Sequence, residues 1–241
     1  MNAFFDIHHH FLYGLDDGAQ YKLEMQQMLT AAHEDGVRTL IATPHITPGL
    51  TPIPMELLNL QIEEARIFSH ESGLNLEICL GSEILYTYHV KRFLSERLLP
   101  TMAGSNKVLI EFATSVKFPE IEDAVLSVLR AGYLPVLAHI ERYACLMQAR
   151  QRLGQLKKKY DVFFQVNADS ILNRQDFTTA RSIRRAIQDG MIDFIASDAH
   201  HTQRRACNLQ RPYNKLVERY GKETADRMTG NHQTPEWFQR L

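Results

Sequence analysis

The sequence predicts an α/β fold: a parallel barrel in one domain, with an open doubly wound sheet as the alternative. Three observations carry that expectation. Short apolar, β-branched runs recur along the whole chain. Amphipathic stretches lie between them, and four end at a glycine. The chain has 241 residues, a length that suits a single α/β barrel of about 250 residues.

The elements follow in order. Residues 4–7 form the first strand. A stripe of Leu23, Met28, Leu29 and Ala32 then marks a helix ending near Gly36. Residues 39–42 form the second strand. Ile62, Ala65 and Ile67 mark a helix ending at Gly73, and residues 76–80 a third strand. Residues 108–110 form the fourth, followed by a helix on Ala124, Val125, Val128 and Leu129 that ends at Gly132. Residues 134–138 and 162–166 are the fifth and sixth strands. Ile183, Ala186 and Ile187 mark a helix ending at Gly190, and residues 192–196 are the last strand. Each run is short and bounded by polar residues, as buried parallel strands are. Glycine just past a helix is a common C-terminal cap. The β-α-β-α order argues for a parallel sheet with helices outside it.

Composition bounds the function. Hydrophobic residues are 44% and charged residues 23%, a globular balance, so we expect one domain over residues 1–241. Lys plus Arg is 27 against 28 for Asp plus Glu, a net charge of -1, which gives no basic clamp for nucleic acid. No apolar run reaches the roughly 20 residues that span a bilayer, so no membrane insertion is expected. The start has neither a cationic region nor a long apolar one, so no signal peptide is expected. Cys79, Cys145 and Cys207 are odd in number and far apart, which fits a reducing cytoplasm. No dinucleotide or P-loop glycine motif occurs.

The polar residues that end the runs carry the chemistry. His8-His9-His10 ends the first and Asp16-Asp17-Gly18 follows. Thr43-Pro44-His45, Gly81-Ser82-Glu83, Glu111, His139-Ile140-Glu141-Arg142 and Ser197-Asp198-Ala199-His200 end others. In a parallel barrel the C-terminal strand ends share one rim, where sites are built. A carboxylate directly after an apolar strand, as at Glu111, is costly unless paired or coordinated. His8 and His10 are two apart on an extended strand and point the same way, as do Asp198 and His200. Together His8, His10, Asp17, His45, Glu83, Glu111, His139, Asp198 and His200 form a metal-ligand set. Imidazole with carboxylate suits zinc, manganese or iron. A catalytic ion usually takes three protein ligands, so this set points to two or three divalent ions, with Glu83 as a bridge. The carboxylate share favours manganese (Mn2+), with iron or zinc as alternatives.

These motifs, in this order, resemble the PHP (polymerase and histidinol phosphatase) superfamily. More narrowly they resemble the bacterial manganese-dependent protein tyrosine phosphatases of capsule and exopolysaccharide loci, the CpsB/CapC/YwqE type. The resemblance covers residues 4 to 230. It implies a distorted (β/α)7 TIM-like barrel with three ions at its rim. It implies that His8, His10, Glu83 and Asp198 share one ion, that Glu83, Glu111 and His139 hold a second, and that Asp17, His45 and His200 hold the third. Asp17 over Asp16 rests on alignment alone. The resemblance also implies that Arg142 and Arg205 bind phosphate, with Arg204 an alternative to Arg205 in register. The chain departs from the family at His9, where a small residue is usual, and at Ile46, where a second histidine is common. Its 47–54 loop has three prolines, and residues 231–235 match loosely.

The expected reaction is hydrolysis of a phosphomonoester, phosphotyrosine in protein, by metal-activated hydroxide, with the arginines clamping phosphate oxygens. The resemblance implies a bacterial tyrosine kinase tail as partner and a role in regulating polysaccharide synthesis. A small-molecule phosphatase, as for histidinol phosphate, or a nuclease is the alternative. A metal-retaining protein without catalysis is a further rival. Thiol-based phosphatase chemistry is excluded, because it needs an arginine six residues after the nucleophile. Leu85, Gln151 and Tyr213 occupy those positions. Simpler readings fit other residues. Lys157-Lys158-Lys159 reads as a solvated helix end. His33, His70, His89, His201 and His232 read as surface or loop histidines. Gln165 and Asn167 are placed to orient ligands. Tyr86 and Tyr88 line a phenyl-binding cleft or simply pack. For Arg142, the alternative to phosphate is an ion pair with Glu141.

Overall fold

β1 (Phe4–His9) leads through α1 (Lys22–Glu34) to β2 (Val37–Ala42) and β3 (His45–Ile46). α2 (Met55–Glu71), β4 (Glu77–Leu80), β5 (Glu83–Leu85) and α3 (Val90–Ser95) follow. Next come β6 (Lys107–Glu111), α4 (Phe118–Arg130), β7 (Leu134–Leu137), α5 (Ala144–Met147) and α6 (Gln151–Lys159). β8 (Phe163–Asn167), α7 (Ala168–Ile171), α8 (Phe177–Gln188), β9 (Phe194–Ala196), α9 (Gln210–Tyr220) and α10 (Lys222–Thr229) complete the order. The computed structural model describes residues 2–149, 151–172 and 177–231. His232 and the 232–235 part of the loosely matching segment lie outside the described residues.

Every strand pairing among the described residues is parallel. One sheet has the order β1-β2-β4, the other β3-β5-β6-β7-β8-β9. β2 runs on into β3 across Thr43-Pro44, and β4 into β5 across Gly81-Ser82, so the nine segments among the described residues occupy seven positions around a barrel. The circle closes where His10 N donates to Ala199 O at 2.9 Å and Asp198 N to His8 O at 2.9 Å. This is the distorted (β/α)7 arrangement that the resemblance implied, and it realises the parallel barrel that the sequence pattern predicts over the open sheet. The two kinks were not expected.

Side chains alternate between two apolar clusters. Phe5, Ile7, Ile41, Leu109, Val136, Ala138 and Ala196 fill the space enclosed by the strands. Phe4, Leu40, Val108, Ile110, Leu137 and Ile195 pack outward under the helices. The inward parity continues into the polar rim. Leu109 is followed by Glu111, Cys79 by Glu83 four residues on, and Ala196 by Asp198. β1 alone breaks step: its register against β2 slips between Asp6 and His9. The slip turns His8 and His10 inward after Phe5 and Ile7, and leaves Asp6 and His9 facing outward.

The four glycines expected to cap helices have positive φ: Gly36 96°, Gly73 70°, Gly132 89° and Gly190 68°. Two stripe residues were misassigned. Leu23 is 57% and Ile67 55% exposed. The buried face of α1 is Met25, Met28, Leu29 and Ala32, and Leu23 lies about 140° away from Met28 around the helix. In α2 the buried positions Leu58, Gln61, Ile62, Ala65 and Ser69 leave Ile67 on the far side. Lys157 is not a merely solvated lysine either: its Nζ is 2.7 Å from both oxygens of Asp193. No helix among the described residues is long and apolar enough to cross a membrane.

Candidate metal centre

The residues that end the strands meet around Glu83, at the start of β5. Its carboxylate is buried, and four imidazoles surround it. Oε2 lies 3.0 Å from His8 Nε2, 3.3 Å from His10 Nε2 and 3.1 Å from His45 Nδ1. Oε1 lies 2.7 Å from His139 Nε2. Asp198 Oδ1 adds a second carboxylate, 3.4 Å from His8 Nε2 and 3.6 Å from His10 Nε2. Glu111 stands beside the pair, with Oε1 3.1 Å from His45 Nδ1 and Oε2 3.7 Å from His139 Nε2. Asp17 Oδ1 completes the set, 3.3 Å from His45 Nε2 and 3.2 Å from His200 Nε2.

All nine residues singled out in the sequence therefore converge. The groupings differ in detail from those the resemblance implied. His8, His10, Glu83 and Asp198 offer ligand atoms within 4.8 Å of one another, as implied. His45 joins Glu83 and Glu111 in a second such group, where His139 was implied. The third unites His10, His45 and His200, with Asp17 reaching the latter two. His45 thus lies between two groups, because its ring spans the gap from Glu111 to Asp17.

The far sides of four of the five rings are anchored; His45 instead faces cluster carboxylates with both nitrogens. His8 Nδ1 is 3.3 Å from Gln165 Oε1, and His10 Nδ1 is 2.8 Å from Asp16 Oδ2. His200 Nδ1 is 3.0 Å from the carbonyl of Asp198. His139 Nδ1 is 3.4 Å from the Tyr143 hydroxyl. An N–H donated outward fixes the tautomer and aims the other nitrogen's lone pair inward. Asp16 is thereby distinguished from Asp17: it holds His10 and accepts the His45 backbone N–H at 3.0 Å. Gln165 Oε1 also accepts the His139 N–H at 2.7 Å, and Asn167 Nδ2 donates to Asp198 Oδ2 at 2.6 Å. Both residues brace ligand candidates, as their strand positions suggested. Asp16 and Tyr143 were not predicted to anchor these rings. No residue pattern in the sequence distinguishes them from ordinary polar and core positions.

Electrostatics keeps the cluster charged. Burial disfavours the His10 cation, but hydrogen bonds and charge from Asp16 and Glu83 outweigh it and raise the ring to about 10. Burial also works against the Glu83 carboxylate, yet His8, His10 and His139 hold it well below the usual range. His200 moves the other way, down to about 3, through burial and the neighbouring His10 charge.

The donor set fits divalent cations. Among the described residues, His45 Nδ1, Glu83 Oε2 and His200 Nε2 are buried without a well-formed hydrogen bond. Such orphaned atoms are expensive unless something coordinates them. Nitrogen and carboxylate oxygen are the donors zinc, manganese and iron accept.

Two arginines guard the rim. Arg142 Nη2 meets Asp198 Oδ2 at 2.6 Å, and Arg205 Nη2 meets Asp198 Oδ1 at 2.9 Å. Arg205 Nη1 also reaches Asp17 Oδ2 at 3.4 Å. The Arg142–Glu141 pair does not form. Glu141 is buried and accepts instead from Asn167 N and Ser170 Oγ, both at 2.9 Å. Arg204 is exposed. Tyr86 packs on Phe112 at 5.7 Å, whereas Tyr88 is 84% exposed.

Comparison with known proteins places this arrangement. The family model for capsular polysaccharide synthesis, CpsB/CapC, matches residues 4–234. The tyrosine-protein phosphatase CpsB of Streptococcus pneumoniae is 28% identical over 225 residues, 91% of this chain and 92% of that one. The tyrosine-protein phosphatase YwqE of Bacillus subtilis (strain 168) is 27% identical over 226 residues, 94% and 89% of the two chains. The structure superposes on a chain from the crystal structures of YwqE and CpsB, unique metal-dependent tyrosine phosphatases. The TM-score is 0.83, with 27% identity, over 92% of this chain and 89% of that one. The chain belongs to the CpsB/CapC family of capsular polysaccharide synthesis proteins.

Proposed function

We propose that this chain is a metal-dependent tyrosine phosphatase that removes phosphate from phosphotyrosine in a protein. The observation that carries the reading is the convergence of five imidazoles and four carboxylates on one rim, with two arginines beside them.

In this reading His8, His10, Glu83 and Asp198 would hold one divalent ion, Glu83 and Glu111 with His45 or His139 a second, and Asp17, His45 and His200 a third. Cations held there would supply water acidified toward a pKa of about 7 and would offset phosphate charge. The protein's own residues do the rest. Arg142 and Arg205 exchange Asp198 for the non-bridging phosphate oxygens, which guanidinium groups match bidentately. Asn167 keeps its hydrogen bond to Asp198 and holds that carboxylate in place when the arginines leave it. Gln165 and Asp16 keep the rings of His8 and His10 aimed inward.

The rim supports a protein substrate. The inner wall of His8, His10 and Glu83 is closed to solvent, but the side chains of Asp17 and Arg205 are 64% and 40% exposed. A phosphate carried on a protein surface reaches such an edge, whereas a small substrate gains little enclosure from it. We infer manganese as the metal from the carboxylate share, and a tyrosine-phosphorylated tail of a bacterial tyrosine kinase as the partner. A cytoplasmic location fits the three free cysteines.

The test is phosphate release from phosphotyrosine peptide, phosphoserine peptide and histidinol phosphate after chelation and manganese addition. The reading expects manganese-dependent release from phosphotyrosine above the other two. Preferential release from histidinol phosphate would replace it with the small-molecule reading.

A further inference from the structure

A second cluster of metal-ligating side chains lies behind the rim, on the outward face of β1. The register slip in that strand leaves Asp6 and His9 on the same side. Cys207, on the segment after β9, meets them there. One ligand atom from each of Asp6, His9 and Cys207 lies within 4.8 Å of the others. Cys207 Sγ is 4.0 Å from Asp6 Oδ2.

His9 is the telling member. It is fully buried, and among the described residues neither ring nitrogen has a hydrogen-bond partner. A neutral imidazole buried that way leaves one N–H and one lone pair unsatisfied, a desolvation cost that a bound ligand would relieve. Its one described ring neighbour on that side, Phe11 at 5.5 Å, cannot repair the loss. Asp6 is better provided, since its carboxylate accepts Ser197 Oγ at 2.5 Å and Ser197 N at 3.0 Å. It still presents Oδ2 toward Cys207.

We propose that Asp6, His9 and Cys207 form a separate structural cation site, selective for zinc, that ties β1 to the segment bearing Arg205. Imidazole, carboxylate and thiolate are all zinc ligands, and three of them leave one tetrahedral position for water. The thiolate makes the site softer than the rim, which has only nitrogen and oxygen donors, so zinc is favoured over manganese here. The site is distinct from the rim: His8 and His10 point inward, His9 outward. Binding releases the Cys207 thiol proton to solvent. Cys207 is only partly buried, which gives the ion a way in. Arg205 stands two residues before Cys207, so the ion would steady an arginine that faces phosphate.

The experiment uses the full chain, stripped by chelation and then loaded with cobalt(II). A thiolate ligand gives a near-ultraviolet charge-transfer band, which a rim of imidazoles and carboxylates does not. The proposal expects that band in the wild type, its loss in Cys207→Ser and in His9→Ser, and its persistence in Cys79→Ser. Zinc content should fall by about one ion per chain in Cys207→Ser. No thiolate band in the wild type with the rim loaded overturns the proposal, and so does a band that survives in Cys207→Ser. If the variants fail to fold, alkylation of Cys207 in the wild type decides. Zinc should slow it about tenfold or more while manganese does not. Equal rates with both metals overturn the proposal.

Discussion

His8 and His10 aim their Nε2 atoms at each other across 3.1 Å. Both nitrogens also face Glu83 Oε2, at 3.0 and 3.3 Å. Two rings two residues apart on a strand converge in this way only because Gln165 and Asp16 anchor their outer nitrogens. A shared cation between them would turn that crowding into coordination.

Removing either ring should therefore remove function before stability. His8→Ala and His10→Ala are expected to lose about 100-fold or more in kcat/KM on p-nitrophenyl phosphate. Metal content by mass spectrometry should fall in parallel. Unchanged turnover in both variants would contradict the placement of the ion.

The anchors should behave differently from the ligands. Asp16→Ala is expected to weaken metal affinity by about 10–100-fold, the usual cost of losing an outer partner. Excess manganese should restore most of its activity. A loss that no manganese concentration repairs would make Asp16 a ligand.

The arginines should act on substrate rather than on metal. Arg142→Ala and Arg205→Ala each remove charge-assisted hydrogen bonds worth about 1.5–3 kcal/mol. That corresponds to about 10–150-fold in kcat/KM. Arg142→Lys should recover only part of it, because an ammonium lacks the bidentate fork. Metal content should stay unchanged in all three.

Cations at the rim should stabilise the fold. At about 100 times its dissociation constant, a ligand adds about 2.7 kcal/mol to the folded state. For a chain of this size that raises Tm by roughly 5–10 °C. Differential scanning calorimetry with manganese and with chelator measures the shift. A Tm that chelation leaves unmoved would show that the cluster holds no ion.

Away from the rim, Lys157 and Asp193 make a pH-dependent pair. Burial raises the Asp193 pKa, and Lys157 opposes the rise. A carboxyl whose folded pKa is raised contributes stability below its unfolded value and loses it as pH rises through the folded value. Lys157→Met removes the opposing charge, so the folded pKa climbs further. The variant is expected to lose about 1–3 kcal/mol near pH 7 and less near pH 4, because the carboxyl takes up protons as pH falls. Urea unfolding at the two pH values checks it, and an equal loss at both would contradict the pairing.

The sequence showed the strand runs and their polar ends because both follow parity and burial. A strand closed on both faces reads as an apolar run, and Glu83 and Glu111 stand out at such ends. It did not show where the chain bends. The slip in β1 that sends His9 outward depends on pairing with β2, not on β1 alone. His139 at φ 30° and Asp198 at φ 53° take a left-handed backbone that residue type does not announce. Those two turns bring ring and carboxylate onto Glu83 and the arginines. α9 and α10 went unread, since their polar sequences expose most of their length and bury few positions, among them Tyr213, Leu216, Ala225 and Met228.

The most direct measurement is an anomalous difference map from crystals of the active, manganese-loaded protein. The account predicts manganese peaks enclosed by His8, His10, Glu83 and Asp198 and by their neighbours Glu111, His139, His45, His200 and Asp17. Active protein whose map holds no anomalous density among those side chains would contradict it.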